Sequence, residues 1–154
     1  MEAKTATRTP KLPGYEARIV ARRPKNRKAS DYQLKEGRDI ARLCADIVDL
    51  SQECMQVLTL NQKHFVIDRH MISLGTLSGA PVHPREVFRV AIFDNAAAIA
   101  LVHNHPSGEP APSRDDREIT ARLVEAGRLL GIRVLDHVIV ADKGHFSFVE
   151  EGLL

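Results

Sequence analysis

The stretch that most constrains this chain is residues 97–103, Ala-Ala-Ile-Ala-Leu-Val-His, an unbroken apolar run that halts at Asn104-His105-Pro106-Ser107-Gly108. It is far shorter than the ~20 residues needed to span a bilayer. It also lacks the apolar/polar alternation of a strand with one wet face, so it reads as a strand buried on both sides of a sheet. Proline and glycine then end it abruptly. A strand of that kind requires helices against the sheet, and the flanking sequence is read for them.

Leu34, Ile40, Leu43, Cys44, Ile47, Val48 and Leu50 recur at helical spacing and predict a helix near 37–50. Cys54, Val57, Leu58 and Leu60, then Asn61-Gln62-Lys63, then residues 65–74 read as a hairpin. Residues 75–80 read as a loop. Pro84 suits the first turn of a helix running to about Asn95, with Val87, Val90, Ala91 and Phe93 available to pack. Ser113-Arg114-Asp115-Asp116 opens a helix to about Leu130, which Gly131 ends. Strands at 134–141 and 145–149 flank the turn Asp142-Lys143-Gly144. The order αββαβαββ implies an α/β fold: a mixed β-sheet flanked by helices.

Charge divides the chain of 154 residues in two. Residues 1–28 carry nine Lys/Arg against Glu2 and Glu16, whereas the remainder carries thirteen basic and eighteen acidic residues. With prolines at 10, 13 and 24 and no sustained period, residues 1–30 read as a basic, flexible leader, and residues 31–154 as one domain. The leader is either a nucleic-acid contact or a solubilising tail. Its polar start has no apolar h-region, and no apolar run spans a membrane, so a cytoplasmic protein is expected. Cys44 and Cys54 lack zinc-pair spacing and are expected as reduced, packed thiols.

His103 and His105, at i and i+2 on an extended segment, project to one side and can reach one cation. Asp116 falls in the first turn of the next helix, across a loop bearing Pro106, Gly108, Pro110 and Pro112. Two nitrogens and a carboxylate leave a fourth position for water, the open arrangement of catalytic zinc. The chain has no H-E-x-x-H, and neither cysteine stands where a zinc deaminase needs one. On the residues alone a second account stays open, in which Ser113 with Asp116 is simply a helix cap and its acidic N3 partner.

His103-Asn104-His105, seven residues, Ser113, two residues and Asp116 match H-x-H-x₇-S-x₂-D, the JAMM motif of the JAB/MPN metallopeptidase superfamily. The surrounding text resembles the RadC family more closely still: His103 to Gly108, Pro112-Ser113, Pro84-Arg85-Glu86-Val87, Gly75-Thr76-Leu77, Asp136-His137-Val138-Ile139-Val140 and Gly152-Leu153-Leu154. The resemblance covers about residues 50–154 and implies the JAB/MPN (cytidine-deaminase-like) architecture. It makes His103, His105 and Asp116 ligands of Zn2+, Glu53 the general base and Ser113 an oxyanion-stabilising hydroxyl. On the residues, Glu86 reads as structural or substrate-facing, Glu109 as solvent-exposed or leaning toward the metal, and His137 as either a partner of a ligand or packing. His64, His70, His83 and His145 have no companion spacing. The helix-hairpin-helix module of longer family members is not expected in so short a leader.

The resemblance implies a zinc-dependent metallopeptidase or isopeptidase with an unspecified peptide or isopeptide substrate. The alternative is a DNA-associated accessory protein, of repair or mobile elements, that uses residues 1–28 and keeps the domain as scaffold. A metal-binding module without catalysis is the third option. Oligomeric state is not legible.

Overall fold

The computed structural model describes residues 31–75 and 82–154. The basic leader and nearly all of the loop expected at 75–80 lie outside the described residues.

The elements come in the expected order. Helix α1 (Gly37–Leu43) and a 3₁₀ turn (Ala45–Ile47) precede strands β1 (Cys54–Leu60) and β2 (Val66–Leu74). Helix α2 (Pro84–Phe93), strand β3 (Ala98–Asn104), helix α3 (Arg114–Leu130) and strands β4 (Arg133–Ala141) and β5 (Gly144–Ser147) complete it. The five strands of the described residues form one sheet in the order β2-β1-β3-β4-β5. Only β3 and β4 pair in parallel, joined by α3 as a crossover, and the other pairs are antiparallel. The sheet is therefore mixed, as expected.

Strand β3 is buried along its whole length. Its alternate residues feed two cores. Ala98, Ala100 and Val102 pack with Ile40, Cys44 and Ile47 on the α1 side. Ile99 and Leu101 pack with Val87, Phe88, Ala91 and Leu123 on the α2/α3 side. Helices thus cover both faces, which is why β3 carries no polar alternation.

Two boundaries depart from the sequence reading. The helix expected at 37–50 breaks after Leu43 because Arg69, reaching from β2, donates from Nη1 to the Leu43 carbonyl (3.2 Å) and to Asp46 Oδ1 (2.8 Å). That carbonyl would otherwise continue the helical ladder, and the chain tightens to 3₁₀ instead. Strand β5, expected at 145–149, ends at Ser147 because Asp136 captures that serine and the backbone just beyond it. Asp136 Oδ2 accepts from Ser147 Oγ (2.6 Å) and Oδ1 from Val149 N (3.1 Å).

His70, which has no companion spacing along the sequence, is paired through the fold. Asp94 Oδ2, at the end of α2, accepts from both His70 Nε2 and Thr59 Oγ1 at 2.6 Å, which ties that helix to β1 and β2. His83 caps α2, its Nδ1 accepting from Arg85 N (3.2 Å). Cys44 and Cys54 are both buried and unbridged, and burial pushes the Cys44 thiol up to about 11.

Candidate metal centre

Strand β3 delivers His103 to its C-terminal end, on the α2/α3 side of the sheet. The chain stays extended for one more step, because His105 N donates to the Val140 carbonyl of β4 (3.0 Å). That step carries the His105 ring back to the His103 side, and the two Nε2 atoms lie 3.0 Å apart. Beyond the Pro/Gly loop, α3 opens on a full capping box. Ser113 Oγ accepts from Asp116 N (3.1 Å), while Asp116 Oδ2 accepts from Ser113 N (2.7 Å) and Ser113 Oγ (2.6 Å). The cap aims the carboxylate at the histidines: Oδ1 is 3.2 Å from His103 Nε2 and Oδ2 is 3.4 Å from His105 Nε2. The helix cap is therefore present, and it leaves the Asp116 carboxylate facing the two imidazoles.

Glu53 stands just before β1, whose Met55 pairs with His103. Its Oε1 lies 3.7 Å from His103 Nε2, with the side chain about half exposed at 52%. Asn104 holds this approach, a role the sequence reading did not assign. Because neighbouring strand residues face opposite ways, its side chain leaves the histidines and bonds residues 50–54. Oδ1 accepts from Cys54 N (2.7 Å), and Nδ2 donates to the carbonyls of Leu50 (3.2 Å) and Gln52 (3.1 Å).

Glu53, His103, His105 and Asp116 each offer one ligand atom, and these four atoms lie within 4.8 Å of one another. The spacing suits a cation: tetrahedral zinc with bonds of about 2.0–2.1 Å needs donors about 3.3–3.4 Å apart. The chemistry of the donors suits it too. His105 Nδ1 donates to the Glu109 carbonyl (2.8 Å), which leaves Nε2 of the neutral ring as a bare lone pair facing the group. Burial works against the charge on Asp116, but the adjacent His103 and His105 rings and the Ser113 hydroxyl outweigh it and hold the carboxyl far below the ordinary range. The Asp116 carboxylate in turn raises the pKa of His105, against desolvation.

His137 packs in the core and also contacts His103. It is fully buried, stacks on Phe148 at 4.9 Å between ring centres, and lies 2.8 Å through Nε2 from His103 Nδ1. Burial, then the neighbouring His103, push its pKa well below the imidazole value. Glu86 pairs with Arg85 (3.1 Å) and Arg89 (3.3 Å) in the first turn of α2. Glu109 turns its carboxylate to Lys143 and contributes only its carbonyl to the site. A second convergent group, Asp68, His70 and Asp94, has its His70 and Asp94 bonded to each other. No described helix is long and apolar enough to cross a membrane.

The profile of the RadC-like JAB domain family matches residues 34–153. The chain is 55% identical over 112 residues to UPF0758 protein STH371 of Symbiobacterium thermophilum, covering 73% of this chain and 48% of that protein. It is 47% identical over 128 residues to a UPF0758 protein of Alkaliphilus metalliredigens, covering 82% and 55%. A UPF0758 protein of Thermotoga maritima is 47% identical over 115 residues, covering 75% and 52%. The chain spans about half the length of the curated relatives it matches.

Proposed function

The chain belongs to the RadC-like JAB domain family, and on that premise we propose that it is a zinc-dependent hydrolase of amide bonds, a peptidase or isopeptidase. The observation that carries this reading is the convergence of two imidazole lone pairs and one carboxylate, with a half-exposed glutamate beside them. His103, His105 and Asp116 would hold the ion. When bound, zinc supplies Lewis acidity that polarises a carbonyl and makes water acidic enough to ionise near neutral pH.

The chain's own groups do the rest. Glu53, anchored through the Asn104 bonds to its neighbours, accepts the proton of the attacking water and returns it to the leaving amine. Ser113 steadies the oxyanion with the hydroxyl that otherwise donates to Asp116 Oδ2. The buried His103 and the capped Asp116 are held before substrate arrives, so little reorganisation is left for the reaction itself.

Metal analysis of the purified chain, together with hydrolysis of a panel of peptide and isopeptide-linked substrates, tests the proposal. One zinc per chain is expected, lost in His103→Ala and Asp116→Ala. Glu53→Gln is expected to keep the zinc and lose about 10²–10⁴-fold in rate. A wild-type chain that binds no zinc overturns the reading. So does a Glu53→Gln variant as active as wild type, since the glutamate would then carry no proton.

A further inference from the structure

His103 can serve a cation through Nε2 only if its proton is on Nδ1, and the residues behind it decide where that proton goes. Thr120, one turn into α3 from Asp116, places Oγ1 2.5 Å from the Asp116 carbonyl oxygen and 2.6 Å from His137 Nδ1. A carbonyl can only accept, so the single hydroxyl proton of Thr120 goes to Asp116 O. Toward His137 the same oxygen can then only accept, which puts the His137 proton on Nδ1. His137 Nε2 is left bare and accepts from His103 Nδ1 across 2.8 Å. The reverse direction would set the Thr120 and Asp116 oxygens lone pair against lone pair at 2.5 Å.

The enclosure keeps these groups from bulk water. His103 and His137 are wholly buried and Thr120 nearly so. Among the described residues no buried side-chain nitrogen or oxygen lacks a hydrogen-bond partner. Stacking on Phe148 sets the plane of the His137 ring, in which Nδ1 faces Thr120 and Nε2 faces His103.

We propose that Thr120 and His137 are positioning residues of the metal centre: anchored on the Asp116 carbonyl, they form a one-way chain of hydrogen bonds that fixes His103 with Nδ1 protonated and Nε2 bare toward a divalent cation. The chain begins on the backbone of one ligand and ends on the ring of another, so it also ties the first turn of α3 to β3. It rests on the metal-centre reading above, and it concerns proton placement and ion affinity rather than hydrolysis.

Zinc affinity of the full chain, measured by chelator competition, tests it in four variants. Thr120→Val keeps the shape of the side chain but removes the hydroxyl, and His137→Leu removes the acceptor. Each is expected to weaken zinc binding about 10–100-fold. Thr120→Ser restores the hydroxyl, and His137→Gln offers a carbonyl oxygen where the ring offered Nε2, so both are expected to bind within a few-fold of wild type. A merely structural role would not separate Val from Ser. Equal affinity in Thr120→Val and wild type, or equal loss in Val and Ser, overturns the proposal.

Nitrogen NMR of the ring tautomers in the wild-type, zinc-free chain decides the matter even where a variant does not fold. A proton on Nδ1 of both His103 and His137 is expected, and a bare Nδ1 on either overturns the chain. Wild-type protein that binds zinc without hydrolysing any substrate would remove the proposed activity and leave this inference standing.

Discussion

At the scale of single residues, the centre is a problem of charge. His103 Nε2, His105 Nε2 and the Asp116 carboxylate are all electron-rich, and they meet at 3.0–3.4 Å. A positive charge has to hold them, and a proton on His105 or a bound cation can each supply it. The folded pKa of His105 is raised, first by the hydrogen bond to Asp116. The resulting stabilisation is fully present below the ordinary imidazole pKa and is lost as pH rises through the raised one. On the proposed function zinc would compete for the same lone pair, so its affinity would move the other way. Chelator competition is expected to show tighter zinc binding at about pH 8 than at about pH 6, approaching about tenfold per pH unit for one displaced proton. Over the same window, denaturant titration of the zinc-free chain is expected to show the stability advantage of wild type over His105→Phe shrinking. Affinity that is flat with pH would mean His105 does not give up a proton to the metal.

At the scale of elements, α3 bears the most constraint. Its first turn presents Asp116, its second supplies Thr120, and its last packs against α2 through a glycine. A Cβ on Gly127 would run into the Ile132 carbonyl and come within 3.2 Å of the Phe88 ring. Gly127 O also accepts from Ile132 N (2.9 Å), where the chain turns back at Gly131 with φ of 70°. Alanine would improve helix propensity by about 1 kcal/mol. Overpacking costs about 1–3 kcal/mol, and a backbone carbonyl yields less readily than a side chain. Gly127→Ala is therefore expected to lose about 1–2 kcal/mol net in urea denaturation with an unchanged m-value. A gain in stability would show that α2 and α3 separate easily, and that α3 is not the rigid support its first turn requires.

At the scale of the whole molecule, the chain joins a basic N-terminal segment to an acidic remainder. Nine Lys/Arg face two acidic residues in 1–28, against thirteen and eighteen beyond. That segregation predicts that any affinity for duplex DNA belongs to the leader and is driven by counterion release. Binding to the full chain is expected to weaken steeply with salt, each neutralised phosphate adding ~0.9 to the slope of log K on log salt, and to vanish when residues 1–28 are deleted. Titration of both forms at two salt concentrations checks it. Affinity that survives the deletion would assign the contact to the domain instead.

The sequence alone was enough for features that depend on a few neighbouring residues. Apolar continuity marked β3, alternation set His103 and His105 on one side, and the Ser113/Asp116 spacing with Gly131 bounded α3. Each arises from backbone geometry and side-chain period within a turn or a strand. Only the tertiary structure decided where α1 stops, because the group that ends it is Arg69, brought across from β2. The same holds for the end of β5, which Asp136 sets from the neighbouring strand. Asn104 stood in plain view between the two histidines, yet its hold on residues 50–54 exists only once β3 lies beside β1. His137 and Thr120 come together because parallel pairing places His103 beside Ile139 of β4 while α3 crosses over them. Hydrogen bonds between distant residues depend on strand register and layer packing, and no local pattern along the chain encodes either.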